Sequence, residues 1–583
     1  LNFFSFYKAY YMKFLIKKIY IVLFLLVILL TTNKIFARDN KIQYAEEDIS
    51  NYFLGVISAK QSRNKEAFRY LKNAKSIKNK HSQFNVEFIR TNVLLGKFKQ
   101  AFVFSENTWK ENELFFETDL LLGLDSFLKE DYIRAERYFE RLNKISEYNI
   151  YFDNFFGNIL MAWTKALQGN EVESFKFLEK IPKTYNHLKN TQNIFLQCYF
   201  DSSNTQKSLE ELIENENYNF SRYNFFLVNY LLYKNKTREA KKIIENSRKI
   251  YSSNLLIRQT ELFLQKNENK KIKNFFNCKN PNDSLAEFFY TIANLYSSER
   301  DYRISNFYLK ISLFLNDKFT SNKALLAENY YFQNKDKESK NVYYSLKSIG
   351  SSYSWYASKN IAAILLNEKG IEYSLKALEK DFKLLSNPNF EHYYELANFY
   401  KDNQYYEESI KYYSLALEKI EKNHPLVPKI FDRRGTSYER LNDWENAEED
   451  LLESLKILPD QAHVLNYLAY TWVDKGINLD RGLEMLKKAT ELKKNDGYII
   501  DSLGWAYYVK KDYTKAKFFL EKAVKLLPSD PIINDHYADA LWMLNKNIQA
   551  RYFWSNILKL NDIDKELKEV IKKKLIFGIV EKL

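Results

Sequence analysis

Between residues 428 and 562 the small and large apolar residues recur with a period of 34. The stretch "DSLGWAYYVKKDYTKAKFFLEKAVKLLPSDP", residues 501–531, shows it best. Counted from Gly497 as position 1, Gly504 stands at 8, Ala516 at 20, Leu520 at 24, Ala523 at 27 and Pro528 at 32. One period on come Ala538, Ala550 and Trp554. A unit from Pro428 has Gly435, Ala447, Leu451 and Pro459, and a unit from Ala462 has Leu468, Ala469 and Trp472, with Ala489 after one inserted residue. This spacing predicts two helices per unit. Positions 8 and 20 face each other where the first helix (A) crosses the second (B), and a larger side chain would hold the helices apart. Position 27 packs on helix A of the next unit. Pro459 and Pro528 end helix B, because proline cannot continue a helix and restricts the residue before it.

The same frame reappears upstream. Gly55, Ala67, Leu71 and Ala74 fit a unit from Asp48, and Ala101 and Ala135 follow at the same interval, with Gly123 and Phe139 in place. Weaker units start near Phe155 (Ala162, Leu178), Ser221 (Ala240), Ala286 (Ala293, Tyr296), Thr320 (Ala327, Tyr330), Tyr356 (Ala363) and Phe390 (Leu396, Ala397, Tyr400). Residues 185–220 and 255–280 resist phasing. A helix pair cannot bury its apolar face alone, so such units must stack.

These residues resemble the tetratricopeptide repeat, W-x2-L-G-x2-Y, then A-x3-F, then P. The Trp position departs, holding Phe431, Leu465, Ile500 and Asn534. The resemblance implies an all-α, tetratricopeptide-type helix-pair solenoid, a right-handed superhelix of about a dozen repeats. It also implies a concave groove lined by positions 2, 5, 9 and 12 of helix A. The groove residues so implied are Asn466, Tyr470, Tyr498, Asp501, Trp505, Tyr508, Asp535, Asp539 and Trp542. Aromatics among hydrogen-bonding groups suit extended peptide or protein segments. The Lys/Asn/Arg pattern by which some family members grip a terminal carboxylate is absent from these positions. Residues 465–489 and 496–516 are also similar to the C-terminal repeats of exported proteobacterial members, including the periplasmic adaptor of a carboxyl-terminal processing protease.

The expected organisation is an upstream extension and signal peptide over 1–37, partly degenerate repeats over 38–280, central repeats over 281–427, well-formed repeats over 428–562 and a capping helix over 563–583. The capping helix would turn Leu567, Val570, Ile571 and Leu575 to one face. The signal peptide is read from Lys13, Lys17 and Lys18 before the apolar run "IYIVLFLLVILL", residues 19–30, which is shorter than the ~20 residues of a membrane-spanning helix. Cleavage is expected after Ala37, with residues 1–11 preceding the true start, and no Cys marks that point for lipidation. An uncleaved signal anchor is the alternative.

Composition agrees with long helices and short turns: the 583 residues include 13 Gly and 8 Pro. The net charge of +14 would suit nucleic acid, but residues 428–560 hold 20 basic and 20 acidic residues, and no basic stripe with interleaved aromatics occurs. Cys198 and Cys278 stand 80 residues apart without metal-ligand spacing, and no disulfide is expected between them.

No phosphate loop, dinucleotide fingerprint, HExxH, GxSxG or CxxC is present. Asp535, His536 and Asp539 are the nearest approach to a constellation. Asp535 and Asp539 share a helix face and His536 turns about 100° away, so solvated carboxylates are expected there. Glu448, Glu449 and Asp450 read likewise as a charged outer face. The expectation is a non-catalytic scaffold or adaptor in the periplasm or cell envelope of a Gram-negative bacterium. It would bind other proteins, with no cofactor, metal, nucleic acid or small-molecule substrate. An assembly factor for outer-membrane or polysaccharide export machinery is the alternative, and an enzymatic reading would rest on Asp535 and Asp539.

Overall fold

The computed structural model describes residues 45–579 except 75, 76, 78–80, 147–154, 215–220, 252, 561 and 562. The expected signal peptide and its cleavage point lie outside the described residues. Among the described residues there are 31 α-helices, one 3-10 turn at Lys183–Tyr185, and no strand. The helices form fifteen consecutive pairs, from Glu46–Lys60 with Asn64–Asn73 to Pro531–Met543 with Asn547–Ile557, and Lys565–Phe577 closes the series. The fold is all-α and built of stacked helix pairs, with more pairs than the expected dozen. The surplus falls partly where periodicity failed: Asn186–Tyr199 pairs with Thr205–Glu214, and Leu255–Gln265 with Asn269–Lys273. That last helix is little more than one turn, too short to show a period.

The crossing positions behave as sterics requires. Ala67, Ala101, Ala135, Ala447, Ala516, Ala523, Ala538 and Ala550 are fully buried. Gly55, Gly123 and Gly435 are buried at the corresponding places on helix A. At two crossings where serine stands at position 20 its hydroxyl ties the two helices: Ser339 Oγ donates to the Ala327 carbonyl at 2.9 Å and Ser374 Oγ to that of Ala362 at 2.5 Å. The latter corrects the expected phase of the unit near Tyr356. Ala362 is buried at the crossing, whereas Ala363 is half-buried. Helix A ends in a left-handed residue at many turns, for example Asn442 (φ 62°), Lys511 (φ 63°) and Asn545 (φ 59°). Asn tolerates this region better than most residues, which accounts for its frequency there. Pro459 and Pro528 are exposed just beyond helices that end at Ile457 and Leu526.

The chain divides into two compact units, one up to Leu346 and one from Lys347. This division falls inside the segment 281–427 of the sequence-based scheme. In the first unit a single apolar cluster runs from Leu71 to Tyr330. Repeats far apart in sequence meet. Phe98 stacks on Phe314 with centroids 4.1 Å apart, the Arg303 guanidinium pairs with the Glu87 carboxylate, and Gln333 Nε2 donates to Ser62 Oγ at 3.3 Å. Early repeats are thus covered by helix Tyr302–Leu315 of the same unit. The cysteines correct another expectation: Cys198 and Cys278 form a disulfide, Cα–Cα 5.9 Å, which staples helix Asn186–Tyr199 to the turn before helix Pro281–Ser298.

The second unit lacks such a common core. Its apolar residues form successive small clusters, around Trp355 and Leu378, Tyr413 and Ile430, Leu451 and Trp472, and Leu520 and Trp554. This is the pattern of a solenoid in which each repeat touches chiefly its neighbours.

A candidate concave binding surface in the C-terminal unit

Each helix A of this unit is fixed on one side by its small crossing residue, and its other side carries polar and aromatic residues. At Asn534 the missing Trp is explained locally. The buried amide donates through Nδ2 to the carbonyls of Pro528 at 3.0 Å and Asp530 at 2.7 Å, so it pins the preceding turn instead of filling apolar space.

The carboxylates expected to be solvated, Asp535 and Asp539, are buried at 8% and 5% exposure, as is Asp501 at 6%. The His536 Nδ1 donates to Asp501, 2.9 and 3.1 Å from the two oxygens. Asp535 and Asp539 converge on Lys574, whose Nζ lies 2.8 Å from all four of their oxygens. The Trp554 indole N–H adds a bond to Asp535 at 2.9 Å. The reason for the correction is the next element: Lys565–Phe577 stands where the next repeat would place its helix A, one period after Pro531, and delivers an ammonium to the carboxylate pair. Buried carboxylates survive when paired and hydrogen-bonded. Burial, reinforced by neighbouring Asp535, still pushes the Asp539 carboxyl up to about 7. Burial alone would lower His536 and Lys574. The carboxylates outweigh it, and both are raised: Asp501 does most of this at His536, and Asp539 and Asp535 at Lys574.

The rings fall into two groups. Trp542, half-buried, packs on Trp554 with centroids 5.5 Å apart, lies under the Arg551 guanidinium, and meets Gly578 so closely that no Cβ would fit there. Gly578 also has φ +73°, which a larger residue rarely adopts. Trp542 therefore belongs to the closure of the last repeat. Trp505 stacks on His536 at 4.1 Å and on Tyr508 at 4.7 Å, and both Trp505 and Tyr508 are half-buried. Tyr470 and Asn466 are half-buried as well, and the Asn466 side-chain oxygen is enclosed with no hydrogen-bond partner. Tyr498 is 59% exposed. Burial and the charges of Asp474 and Asp501 push the Tyr470 hydroxyl up to about 12. At the other end His463 lies 3.2 Å from Asp432, which raises its pKa.

Two further expectations change. In the run Glu448–Asp450 only Glu449 is exposed: Glu448 accepts from the Trp472 indole at 2.8 Å, and Asp450 is buried and bidentate with Arg434, at 2.7 and 2.8 Å. On the closing helix Ile571 is buried, whereas Val570 is 45% exposed and does not join the packed face. Among the described residues no group of three or more His, Cys, Asp or Glu is placed to hold a metal ion. Lys574 and Gly578 were not foreseen. Their only signal was that the closing helix starts one period after Pro531.

Residues 391–419 and 500–530 match the Tetratricopeptide repeat family. Over 117 residues the chain is 29% identical to the TPR repeat-containing protein PA4667 of Pseudomonas aeruginosa, an alignment that covers 20% of each chain. This chain thus matches about a fifth of that relative's length. Among solved structures it is similar to MamA of Desulfovibrio magneticus (18% identity, 30% of this chain and 97% of that chain, TM-score 0.28) and to a tetratricopeptide repeat protein of Parabacteroides merdae (18% identity, 38% and 85%, TM-score 0.33).

Proposed function

We propose that this tetratricopeptide repeat protein is a non-catalytic scaffold that holds other proteins on the inner face of its C-terminal unit. The observation that carries this reading is the division of that face. Asp501, Asp535, Asp539, His536 and Trp542 are bound to one another or to the closing segment, while Tyr498 is exposed and Tyr470, Trp505 and Tyr508 keep part of their ring surface open. Rigid aromatic side chains flanked by polar groups are efficient anchors for an extended segment. In the first unit the corresponding early repeats are covered by helix Tyr302–Leu315.

Export to the periplasm or cell envelope is part of the proposal. It is supported by the basic and apolar leader of residues 13–30 and by the Cys198–Cys278 disulfide, since disulfides persist in oxidising compartments. A narrower version, an adaptor for an envelope protease in cell-wall turnover, rests on the resemblance of residues 465–516. Affinity capture from a detergent-solubilised envelope extract tests both levels. Recovery of a protein whose capture is lost with Tyr498→Ala plus Trp505→Ala supports the scaffold, and a protease among such proteins supports the adaptor. Capture unaffected by the double variant would refute the assigned face.

A further inference from the structure

Phe53 and Ile57 stand at stacking positions, and no described helix is stacked on them. Counted from Asp48 they are positions 6 and 10 of helix Glu46–Lys60, the first of the described helices. In later repeats these positions reach back to the preceding pair. At position 6, His536 meets Asp501 and Arg433 Nη1 donates to Asn398 at 2.7 Å, each time on the preceding helix A. At position 10, Ser437 Oγ accepts from Ser409 Oγ of the preceding helix B at 2.9 Å. Ser437, Ala506 and Ala540, all at position 10, are buried. Phe53 and Ile57 are instead 58% and 51% exposed, and Ile49, one turn earlier, is exposed as well.

A repeat that ends a stack in water turns a polar face outward. This helix turns three large apolar side chains outward along one stripe. Every fourth residue of a helix advances by only about 40°, so residues 49, 53 and 57 share a face. Glu46 and Lys60 continue the stripe at its two ends. Both are exposed, and neither has an ion-pair partner among the described residues.

The stripe is complementary to itself. Phe53 is its midpoint: Ile49 and Ile57 stand four residues to either side, and Glu46 and Lys60 seven. An antiparallel second copy, related by a two-fold axis at Phe53, sets Phe53 on its own counterpart, Ile49 on Ile57, and Glu46 against Lys60, each unlike pair occurring twice. A parallel copy would set Glu46 on Glu46 and Lys60 on Lys60. Antiparallel packing also brings opposite ends of the two helix dipoles together.

We propose that this chain forms a two-fold dimer through helix Glu46–Lys60, antiparallel about Phe53. The pairing is independent of the C-terminal face described above. One helix of 15 residues, about 22 Å long, offers less than the ~800 Å² per partner of a standard interface. The dimer is therefore a reversible one.

Sedimentation equilibrium of the full chain recovered from the cell envelope tests this. The dimer fraction should rise with concentration, and Phe53→Asp should leave a monomer with an unchanged circular dichroism melt, since the side chain it replaces is exposed. Glu46→Lys should weaken the dimer about three- to ten-fold. Adding Lys60→Glu to the same chain should restore it to within about two-fold, because position 46 of one copy meets position 60 of the other. Within one helix these positions are about 21 Å apart and cannot compensate each other. Each change alone opposes the dipole of its own helix, so a merely local effect would make the double variant worse than the single one. That result overturns the proposal, as does a dimer indifferent to Phe53→Asp. A monomer at every concentration also overturns it, and gives the stripe to residues before Ala45 or to another protein.

Discussion

Gly504 and Leu520 touch across the helix crossing of their repeat so closely that a Cβ on Gly504 would come within 2.6 Å of the Leu520 side chain and 3.1 Å of its backbone nitrogen. Backbone cannot yield as a flexible side-chain tip can. Gly504→Ala and Ala516→Leu should each overpack this crossing and destabilise by about 1–3 kcal/mol. Lys515→Leu, next to Ala516 but exposed, should change stability by less than about 0.5 kcal/mol. Denaturant midpoints followed by circular dichroism check this, and equal midpoints for Ala516→Leu and Lys515→Leu would refute the assigned phase.

The closing helix is predicted to depend on one ammonium. Lys574→Met keeps much of the side chain's bulk but leaves Asp535 and Asp539 facing each other at 8% and 5% exposure. Removing one partner of a buried pair typically costs about 3–5 kcal/mol. Hydrogen exchange should show Lys565–Phe577 losing protection first. Asp535→Asn plus Asp539→Asn in the Lys574→Met background should restore part of it, because the uncompensated charges are gone.

The stability of this corner should fall as pH rises through neutrality. His536 has a folded pKa above its ordinary value, so its contribution is complete below about 6.5 and is lost as pH rises through the folded value. Asp539, pushed up to about 7, acts with the same sign: the folded state holds its proton more tightly than the unfolded chain, so stability declines between about pH 4 and 7 as that proton leaves. Protection of helix Pro531–Met543 should therefore be greater at pH 6 than at pH 8. His536→Gln should shrink that difference.

Reduction should act on the first unit. The disulfide closes a loop across a sequence separation of 80. In the chain-entropy account this is worth about 4.5 kcal/mol. Cys198→Ser, or dithiothreitol, should lower the melting transition of a fragment-resolved probe in residues up to Leu346, while protection around Gly504 and Ala516 stays unchanged.

The repeats were legible because a helix crossing tolerates only small residues, and Gly435, Gly504, Ala516 and Ala550 report that restriction directly. Legibility ended where the restriction is met by other means. Ser374 serves at a crossing through its hydroxyl bond to Ala362, and the B helix at Asn269–Lys273 is too short to repeat anything. The candidate site was legible only as a set of positions. Position within the repeat picks out Tyr470, Tyr498, Trp505, Tyr508 and Trp542 alike; Tyr498 is exposed, the others are half-buried, and Trp542 is engaged by Gly578 of the closing segment. It could not foresee which carboxylates would be paired. Asp501 finds His536 in the next repeat, and Asp535 finds Lys574 on the closing helix; such partners are set by stacking, not by local pattern. For the same reason Cys198 and Cys278 looked remote, since two further helix pairs must wind before they meet.

Partner binding is assigned to the inner face of the C-terminal unit. A photo-crosslinking amino acid at Tyr498, compared with the same group at Phe518, which is 65% exposed on helix B, tests it most directly in intact cells. Tyr498 should yield discrete crosslinked protein products and Phe518 should not. Products from Phe518 alone, or the same products from both positions, would contradict it.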